Sequence, residues 1–115
     1  MEYYVLEGEI NTYQGSRAIL PRACILPEHL EEFMDDLYNL LSKIGYSYDI
    51  QKDIDKIIIY ARKDIRNDTL QMSITIRKVI SDELPMCYAS WDVDQYIRYF
   101  KAFENIDRQL LSAIT

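Results

Sequence analysis

The stretch TLQMSITIRKV, Thr69–Val79, carries the clearest structural signal in the chain. Apolar residues alternate with polar ones along it, which is the pattern of a β-strand that buries one face and exposes the other to water. The apolar positions are Leu70, Met72, Ile74 and Ile76. Such one-sided burial is typical of an antiparallel sheet that is covered by helices on one face only. This stretch therefore predicts an α+β fold.

Shorter segments elsewhere predict further strands of the same sheet, because they show strand-like patterns between turn residues. These segments are Tyr3–Ile10, Arg17–Leu26, residues 46–50, Lys56–Arg62 and Leu84–Ala89. The turn residues 11–15 join the first two segments, which therefore form a predicted hairpin. Since proline donates no hydrogen bond to a neighbouring strand, Pro21 predicts that the second segment is an edge strand, or is bent or bulged at that point.

Two segments predict amphipathic helices, because their apolar residues recur at spacings of three and four. The first begins at Pro27, which suits the first helical position, and ends near Ile44 before Gly45. The second begins at Asp92, whose capping box with Gln95 favours a helix start, and runs nearly to the end of the chain. The two apolar stripes are Leu30, Phe33, Met34, Leu37, Leu41 and Ile44 in the first helix, and Tyr96, Phe100, Phe103, Ile106, Leu110 and Ile114 in the second.

The predicted element order is ββ-α-βββ(β)-α. It corresponds to an α+β fold in which an antiparallel sheet of about four to six strands carries two amphipathic helices packed on one face. A length of 115 residues suits one domain, so residues 1–115 are predicted to form a single α+β domain.

The sequence also bears on location. The longest apolar runs are shorter than the roughly twenty residues that a membrane helix needs. No basic segment followed by an apolar one opens the chain, so we predict no secretory signal and expect a cytoplasmic protein without membrane contact. The two cysteines, Cys24 and Cys87, are too few for a disulfide framework, and both are predicted to be small buried apolar residues with free thiols.

The net charge of −6 is confined to the first third of the chain. Residues 1–36 hold eight acidic and two basic residues, whereas residues 37–115 hold eleven of each. Five carboxylates fall within nine residues of the first predicted helix, and we call them the acidic stripe: Glu28, Glu31, Glu32, Asp35 and Asp36. Because nucleic-acid binders normally carry clustered lysines and arginines, nucleic acid is an unfavoured partner.

The chain offers little of the chemistry that enzymes use. Zinc takes about four nitrogen or sulfur ligands, and the sequence supplies only two cysteines and a single histidine, His29, without paired spacing. The three glycines are dispersed and form no phosphate-binding loop. His29 could act as a base for Cys24 or Ser16, but one histidine in a first helical turn is more often an exposed polar residue. We therefore predict no catalytic residues, no metal, no cofactor and no enzymatic activity.

Three interpretations of the acidic stripe stay open at this point. It is a solvated helix face, which the helix dipole favours near its N-terminus. It is a docking patch for a basic protein, since complementary charge selects partners. Or it is a metal site, although catalytic metals usually take ligands from more than one element.

The last predicted helix offers a second candidate surface. Tyrosine and arginine are favoured at protein interfaces, so Tyr96, Arg98 and Tyr99 are predicted to bind a partner together with the acidic stripe. A homodimer through this helix, or through an edge strand, is a further hypothesis.

These observations favour a small, acidic, non-enzymatic protein–protein interaction module that presents the acidic stripe to a basic partner surface. In size and charge the chain is similar to small acidic inhibitors such as immunity proteins and virus-encoded anti-defence proteins, an analogy that does not by itself define function. The alternative is a single-stranded nucleic-acid-binding protein that stacks bases on sheet tyrosines. Its tyrosines would be Tyr46, Tyr48 and Tyr60, and its cations Arg62, Lys63, Arg66, Arg77 and Lys78.

Overall fold

The computed structural model describes residues 2–82, 88–90 and 93–114, and the side chains of residues 2–82 and 97–114. The predicted α+β fold is confirmed, while residues 84–87 of the predicted last strand and the predicted helix start at Asp92 lie outside the described residues. In chain order the elements are strands β1 (Glu2–Thr12), β2 (Arg17–Ile19) and β3 (Ala23–Ile25), a 3₁₀ turn (Pro27–His29), helix α1 (Leu30–Lys43), strands β4 (Ser47–Lys52), β5 (Lys56–Ile65), β6 (Asp68–Ile80) and β7 (Tyr88–Ser90), and helix α2 (Val93–Ile114).

The strands form one sheet in the order β4-β5-β6-β1-β3-β7, and β2 also pairs with β1. β2 and β3 lie end to end along the same side of β1, so the strands occupy six positions in the sheet. The pairings of the described strands are antiparallel, apart from the parallel pairing of β3 with β7. β1 and β6 pair along the whole length of β1 and form the centre of the sheet.

The gap between β2 and β3 is a bulge, as Pro21 predicts. Ile19 pairs with Glu9 and Ala23 pairs with Leu6, so three residues of the second strand face two residues of β1. The extra residue interrupts the ladder at the proline, which could not have donated a hydrogen bond to β1 in any case.

Gly8 lies on β1 opposite this bulge. The Leu20 N–H donates to the Gly8 carbonyl oxygen over 2.9 Å, and the Leu20 side chain fills the space beside the glycine. A Cβ atom on residue 8 would lie 2.9 Å from Leu20 Cδ1 and 2.8 Å from the Ser73 carbonyl oxygen. The bulge and the glycine are therefore one structural unit, in which the absent side chain makes room for Leu20.

One face of the sheet packs against both helices, as predicted. Alternate residues of β1, β5 and β6 meet the apolar stripes of α1 and α2 in a single core. Its fully buried members include Leu6, Ile10, Ile59, Met72 and Ile74 of the sheet, Phe33, Leu37 and Leu41 of α1, and Tyr99 and Phe103 of α2. The described part of the chain has no helix long and apolar enough to cross a membrane.

The opposite face, which we call the open face, is mostly polar but carries a small apolar cluster at one end. Tyr3, Val5 and Cys24 are buried there and pack with Val79. Cys24 is completely buried, as expected, but it is disulfide-bonded, so the prediction of a free thiol is wrong at this residue. A large separation along the sequence is a poor guide to whether a cysteine forms a disulfide, because the pairing of β3 with β7 brings residues 23–25 beside residues 88–90. Cys87 lies outside the described residues.

Helix α1 ends at the glycine that the sequence indicates. Gly45 has a φ of +93°, a conformation that glycine adopts without steric cost. The Tyr46 N–H donates to the Leu41 carbonyl oxygen over 2.9 Å, and the Gly45 N–H to that of Ser42 over 3.2 Å. These two bonds form a Schellman motif, which satisfies carbonyl groups of the last helical turn and turns the chain into β4.

A buried ion pair joins this helix end to β5 and α2. Lys63 Nζ lies 2.9 Å from Asp107 Oδ2 and donates to the Ile44 carbonyl oxygen, also over 2.9 Å. The Tyr46 hydroxyl donates to the other oxygen of Asp107 over 2.8 Å, and the Lys63 ammonium lies 4.5 Å from the centre of the Tyr46 ring. Burial and the hydrogen bond to Asp107 raise the pKa of Tyr46 far above its ordinary value, so its hydroxyl stays a donor. We call Tyr46, Lys63 and Asp107 the buried polar triad.

Replacing Lys63 with methionine tests this triad, because methionine preserves most of the side-chain length and removes the charge. Asp107 then keeps one hydrogen bond and no counter-charge, and we expect the free energy of unfolding to fall by about 3–5 kcal/mol. Denaturant unfolding followed by circular dichroism measures the loss. The double variant Lys63→Met, Asp107→Leu removes both charges and should recover part of it. The single variant Asp107→Leu completes the comparison. If the double variant loses as much free energy of unfolding as the two single variants added together, the two charges are not coupled.

Replacing Gly8 with alanine tests the bulge. The added methyl group forces Leu20 or the β6 backbone to move, and we expect a loss of about 1–3 kcal/mol in the free energy of unfolding. Gln71→Ala is a suitable control, because Gln71 is exposed on the open face of the neighbouring strand, and its loss should stay within about 0.5 kcal/mol. Equal stability of the two variants would mean that the space beside Gly8 is not needed.

Candidate functional site

The acidic stripe lies along the outer side of α1 and the 3₁₀ turn before it. Its five residues are exposed, whereas Phe33, Leu37 and Leu41 on the opposite side of the helix are fully buried. The helix is therefore fixed by its apolar side, and the carboxylates project into solvent from a rigid element. The sequence prediction of where these five side chains lie agrees with their exposure.

The charge of the acidic stripe is not neutralised within the described residues, where none of its five carboxylates lies within ion-pair distance of a lysine or arginine. Neighbouring turns repel each other instead, as at Glu31 with Asp35 and at Glu32 with Asp36, by a few tenths of a kcal/mol for each pair. The helix dipole offsets part of this repulsion near the N-terminus. The stripe is therefore a surface of unpaired negative charge.

Two acidic residues of the open face differ from the stripe, because they form ion pairs. On the open face, Glu7 forms ion pairs with Arg22 at 3.0 Å and with Arg77 at 3.6 Å, and Glu9 pairs with Arg17. These pairs are exposed and contribute little to stability, but they cancel the charge locally. Asp49, Asp53 and Asp55 are also exposed and have no salt-bridge partner among the described residues, so the acidic stripe is distinguished by its density of carboxylates on one helix.

The predicted partner-binding residues of α2 do not form one surface. Arg98 is exposed, but Tyr99 is fully buried, which corrects its place in the predicted binding patch. The Tyr99 ring packs against Phe33, with ring centres 5.6 Å apart, and against Phe103 at 6.2 Å. Its hydroxyl has no hydrogen-bond partner among the described residues, and burial raises the pKa of Tyr99. The Tyr96 side chain lies outside the described residues.

The three sheet tyrosines of the alternative hypothesis lie on different faces. Tyr46 is buried in the polar triad, and Tyr48 stacks on Tyr38 of α1, with ring centres 5.2 Å apart and planes inclined by 9°. Only Tyr60 of these three lies on the open face, where it is 48% exposed. A platform of adjacent exposed rings, which base stacking uses, is therefore not formed by these tyrosines.

The five cations of that hypothesis are dispersed as well. Lys63 is buried against Asp107, and three others pair with surface carboxylates: Arg62 with Asp64, Arg77 with Glu7, and Lys78 with Glu2. Arg66 is exposed in the turn between β5 and β6. Hydrogen bonds from Thr69 and Arg62 lower the pKa of Asp64, which keeps this carboxylate charged beside the arginine.

The open face forms a shallow groove of about 550 Å³ over β4, β5 and β6. Tyr60, Arg62, Gln71 and Ser73 are among the residues that line it. This lining offers hydrogen-bonding groups and the exposed ring of Tyr60, but no pairing of a nucleophile with a base. Within the described ranges there is also no group of three or more histidine, cysteine, aspartate or glutamate side chains placed to hold a metal ion.

Sequence reasoning missed the residues that are buried and polar. Asp107 lies four residues after Phe103, on the buried side of α2, and an acid at such a position is a usable signal for a buried partner. Asp68 is a second case: its Oδ1 accepts hydrogen bonds from the Tyr13 N–H at 2.8 Å and the Thr69 N–H at 2.7 Å. It ties the turn after β1 to the start of β6.

Known proteins offer no close comparison for this arrangement. The chain matches no protein-family model, no curated protein and no solved structure. The geometry of its own residues is therefore the basis for any functional conclusion.

Proposed function

We propose that the protein is a non-enzymatic interaction module that docks the acidic stripe of α1 onto a basic surface of another protein. The observation that supports this most directly is the set of five exposed carboxylates without counter-ions in the described part of the chain. Like charges held together on one helix reduce stability. A basic partner would supply the counter-ions that the fold itself does not.

The rigidity of α1 fits this role. The helix is anchored by its buried apolar side and by the Schellman motif at its end, so little conformational entropy would be lost when the stripe binds. Complementary charge accelerates the encounter and disfavours acidic partners. An inhibitor of this kind needs no catalytic residue, because covering the partner's site is sufficient.

The partner class follows from the charge. Enzymes that act on nucleic acids carry basic surfaces that contact phosphate groups, and a row of carboxylates can occupy such a surface in place of the nucleic acid. We therefore propose a basic protein, such as a nucleic-acid-binding enzyme, as the target. Direct binding of single-stranded nucleic acid by this chain is the alternative, and the dispersal of its tyrosines and cations over both faces of the sheet argues against it.

Affinity capture from the native host tests the proposal. The tagged protein should retain a stoichiometric protein partner after nuclease treatment. Neutralising three stripe residues, with Glu32→Gln, Asp35→Asn and Asp36→Asn, should slow association about tenfold or more at low salt, and the difference should shrink as salt increases. Stopped-flow or surface-based kinetics with the captured partner measures this rate.

A matched control removes the same number of charges elsewhere. Asp55→Asn, Asp64→Asn and Asp82→Asn alter exposed carboxylates outside α1 and leave the net charge equal to that of the stripe variant. The proposal requires this control to associate nearly as fast as the wild type. Equal slowing of both variants would mean that net charge matters and the stripe does not. Recovery of nucleic acid alone, independent of the stripe, would favour the alternative.

We also propose a cytoplasmic location, although the disulfide at Cys24 argues the other way, since disulfides persist mainly in oxidising compartments. Because Cys24 is fully buried, alkylation of free thiols under denaturing conditions, in protein taken directly from host cells and followed by mass spectrometry, distinguishes the two. A cytoplasmic protein should carry label on Cys24. Complete protection of Cys24 from the label would place the protein in an oxidising compartment.

A further inference from the structure

Strand β4 is one of the two outer strands of the sheet, and its pairing with β5 shows which of its backbone groups are free. The Asp53 N–H donates to the Lys56 carbonyl oxygen over 2.8 Å, in line with the register in which Ser47 pairs with Arg62 and Gln51 with Ile58. Successive residues of a strand direct their backbone groups to opposite sides. The odd-numbered residues of β4 therefore bond to β5, and Tyr48, Ile50 and Lys52 direct their N–H and C=O groups to the free edge.

This edge has no proline and no bulge, two of the devices that protect an outer strand, although it carries two charged side chains, Asp49 and Lys52. Its pairing with β5 runs without interruption over six residues, and no strand in the described part of the chain pairs with its outer side. Ile50 is 37% exposed at its centre. The edge is thus an open row of donors and acceptors with an apolar side chain in the middle.

We propose that β4 pairs antiparallel with β4 of a second copy of this chain, around a two-fold axis at Ile50. A two-fold axis perpendicular to the sheet keeps the helices of both copies on the same side of the joined sheet. An even-numbered residue then lies opposite an even-numbered residue of the second copy, and an odd-numbered residue opposite an odd-numbered one. Three registers pair at least two of the residues Tyr48, Ile50 and Lys52 with their counterparts in the second copy, and they are centred on Asp49, Ile50 or Gln51.

Charge selects among these registers. A centre at Asp49 places this residue opposite its own copy, and a centre at Gln51 places Asp49 opposite Asp53; like charges facing each other across a strand pair are destabilising. A centre at Ile50 places Asp49 opposite Gln51 and Tyr48 opposite Lys52. It has three facing pairs that each exchange two backbone bonds, roughly six in all, which is the largest number among the three registers.

The helix side of the edge suits the same register. Lys52 of the second copy would face Tyr48, whose ring already stacks on Tyr38, and an ammonium group over an aromatic ring is attracted to it. Burial raises the pKa of Tyr38, and the neighbouring Tyr48 and the charge of Asp35 raise it further; Asp35 precedes Tyr38 by three residues on α1, so the two are neighbours on the helix surface. Lys52 of the second copy would therefore approach aromatic rings and a carboxylate of the acidic stripe. The dimer would be one continuous sheet with all four helices on one face.

Size-exclusion chromatography with light scattering tests the dimer, and a charge pair at the two-fold axis tests its register. The wild type should have twice the chain mass. Ile50→Lys alone and Ile50→Glu alone each place like charges opposite each other and should weaken the dimer at least about tenfold, whereas an equimolar mixture of the two should restore it. Rescue by mixing is specific to a residue that faces its own copy, so the same pair of substitutions at Gln51 should give no rescue.

A proline variant separates loss of pairing from loss of folding. Ile50→Pro removes an N–H that points to the free edge and leaves the bonds to β5 intact, so it should give a folded monomer with an unchanged circular dichroism spectrum. A wild type that stays monomeric up to about 1 mM, beyond the range of specific complexes, would overturn the proposal, and so would a dimer that survives Ile50→Pro. The proposed function rests on α1 and can fail or hold independently, because the kinetics of the stripe variant are measured with a different partner.

Discussion

The buried pair of Lys63 and Asp107 fixes how the helices sit on the sheet. Apolar packing brings α1 and α2 to the same face, but it is not directional, and many small rotations would bury similar area. The ion pair is directional: Lys63 of β5 must reach Asp107 of α2 and the Ile44 carbonyl at the end of α1 together. A lysine in this position that missed Asp107 would be buried without a counter-charge. The orientation of α1, and with it the direction in which the acidic stripe faces, therefore depends on this contact.

The parts of the fold that could be predicted are those with a local physical cause. The alternation in β6 follows from its one buried face, the bulge from the missing donor of Pro21, and the end of α1 from Gly45. Each of these needs only a few neighbouring residues. The position of Tyr99 could not be predicted in this way, because Tyr96, Tyr99 and Phe100 are all aromatic and local spacing does not decide which of them points inward. The contact with Phe33 decides it, and that contact joins two elements far apart in the sequence.

The same distinction holds for the candidate site. The exposure of the acidic stripe follows from helical periodicity, since Phe33 and Leu37 define the opposite side. The sheet tyrosines depend on register instead. Tyr48 and Tyr60 lie on neighbouring strands, and their faces differ because Tyr48 pairs with Ala61 while Tyr60 pairs with Asp49. A shift of one residue in that pairing would exchange the faces. No local pattern in the sequence sets this register. The buried polar triad could not be predicted for the same reason, because its residues come from separate elements.

Because its charge is distributed unevenly, the molecule repels a second copy more strongly from some directions than from others. Unpaired negative charge is concentrated on the outer side of α1, while the carboxylates Glu7 and Glu9 of the open face are neutralised by arginines. Two copies that meet with their helix layers face to face repel each other over about a Debye length, roughly 8–10 Å at moderate salt. Copies that approach through the sheet meet less repulsion, which comes mainly from exposed carboxylates near the edge such as Asp49. Self-encounter is therefore oriented before contact, and the orientation that it favours keeps the outer sides of the two α1 helices from facing each other.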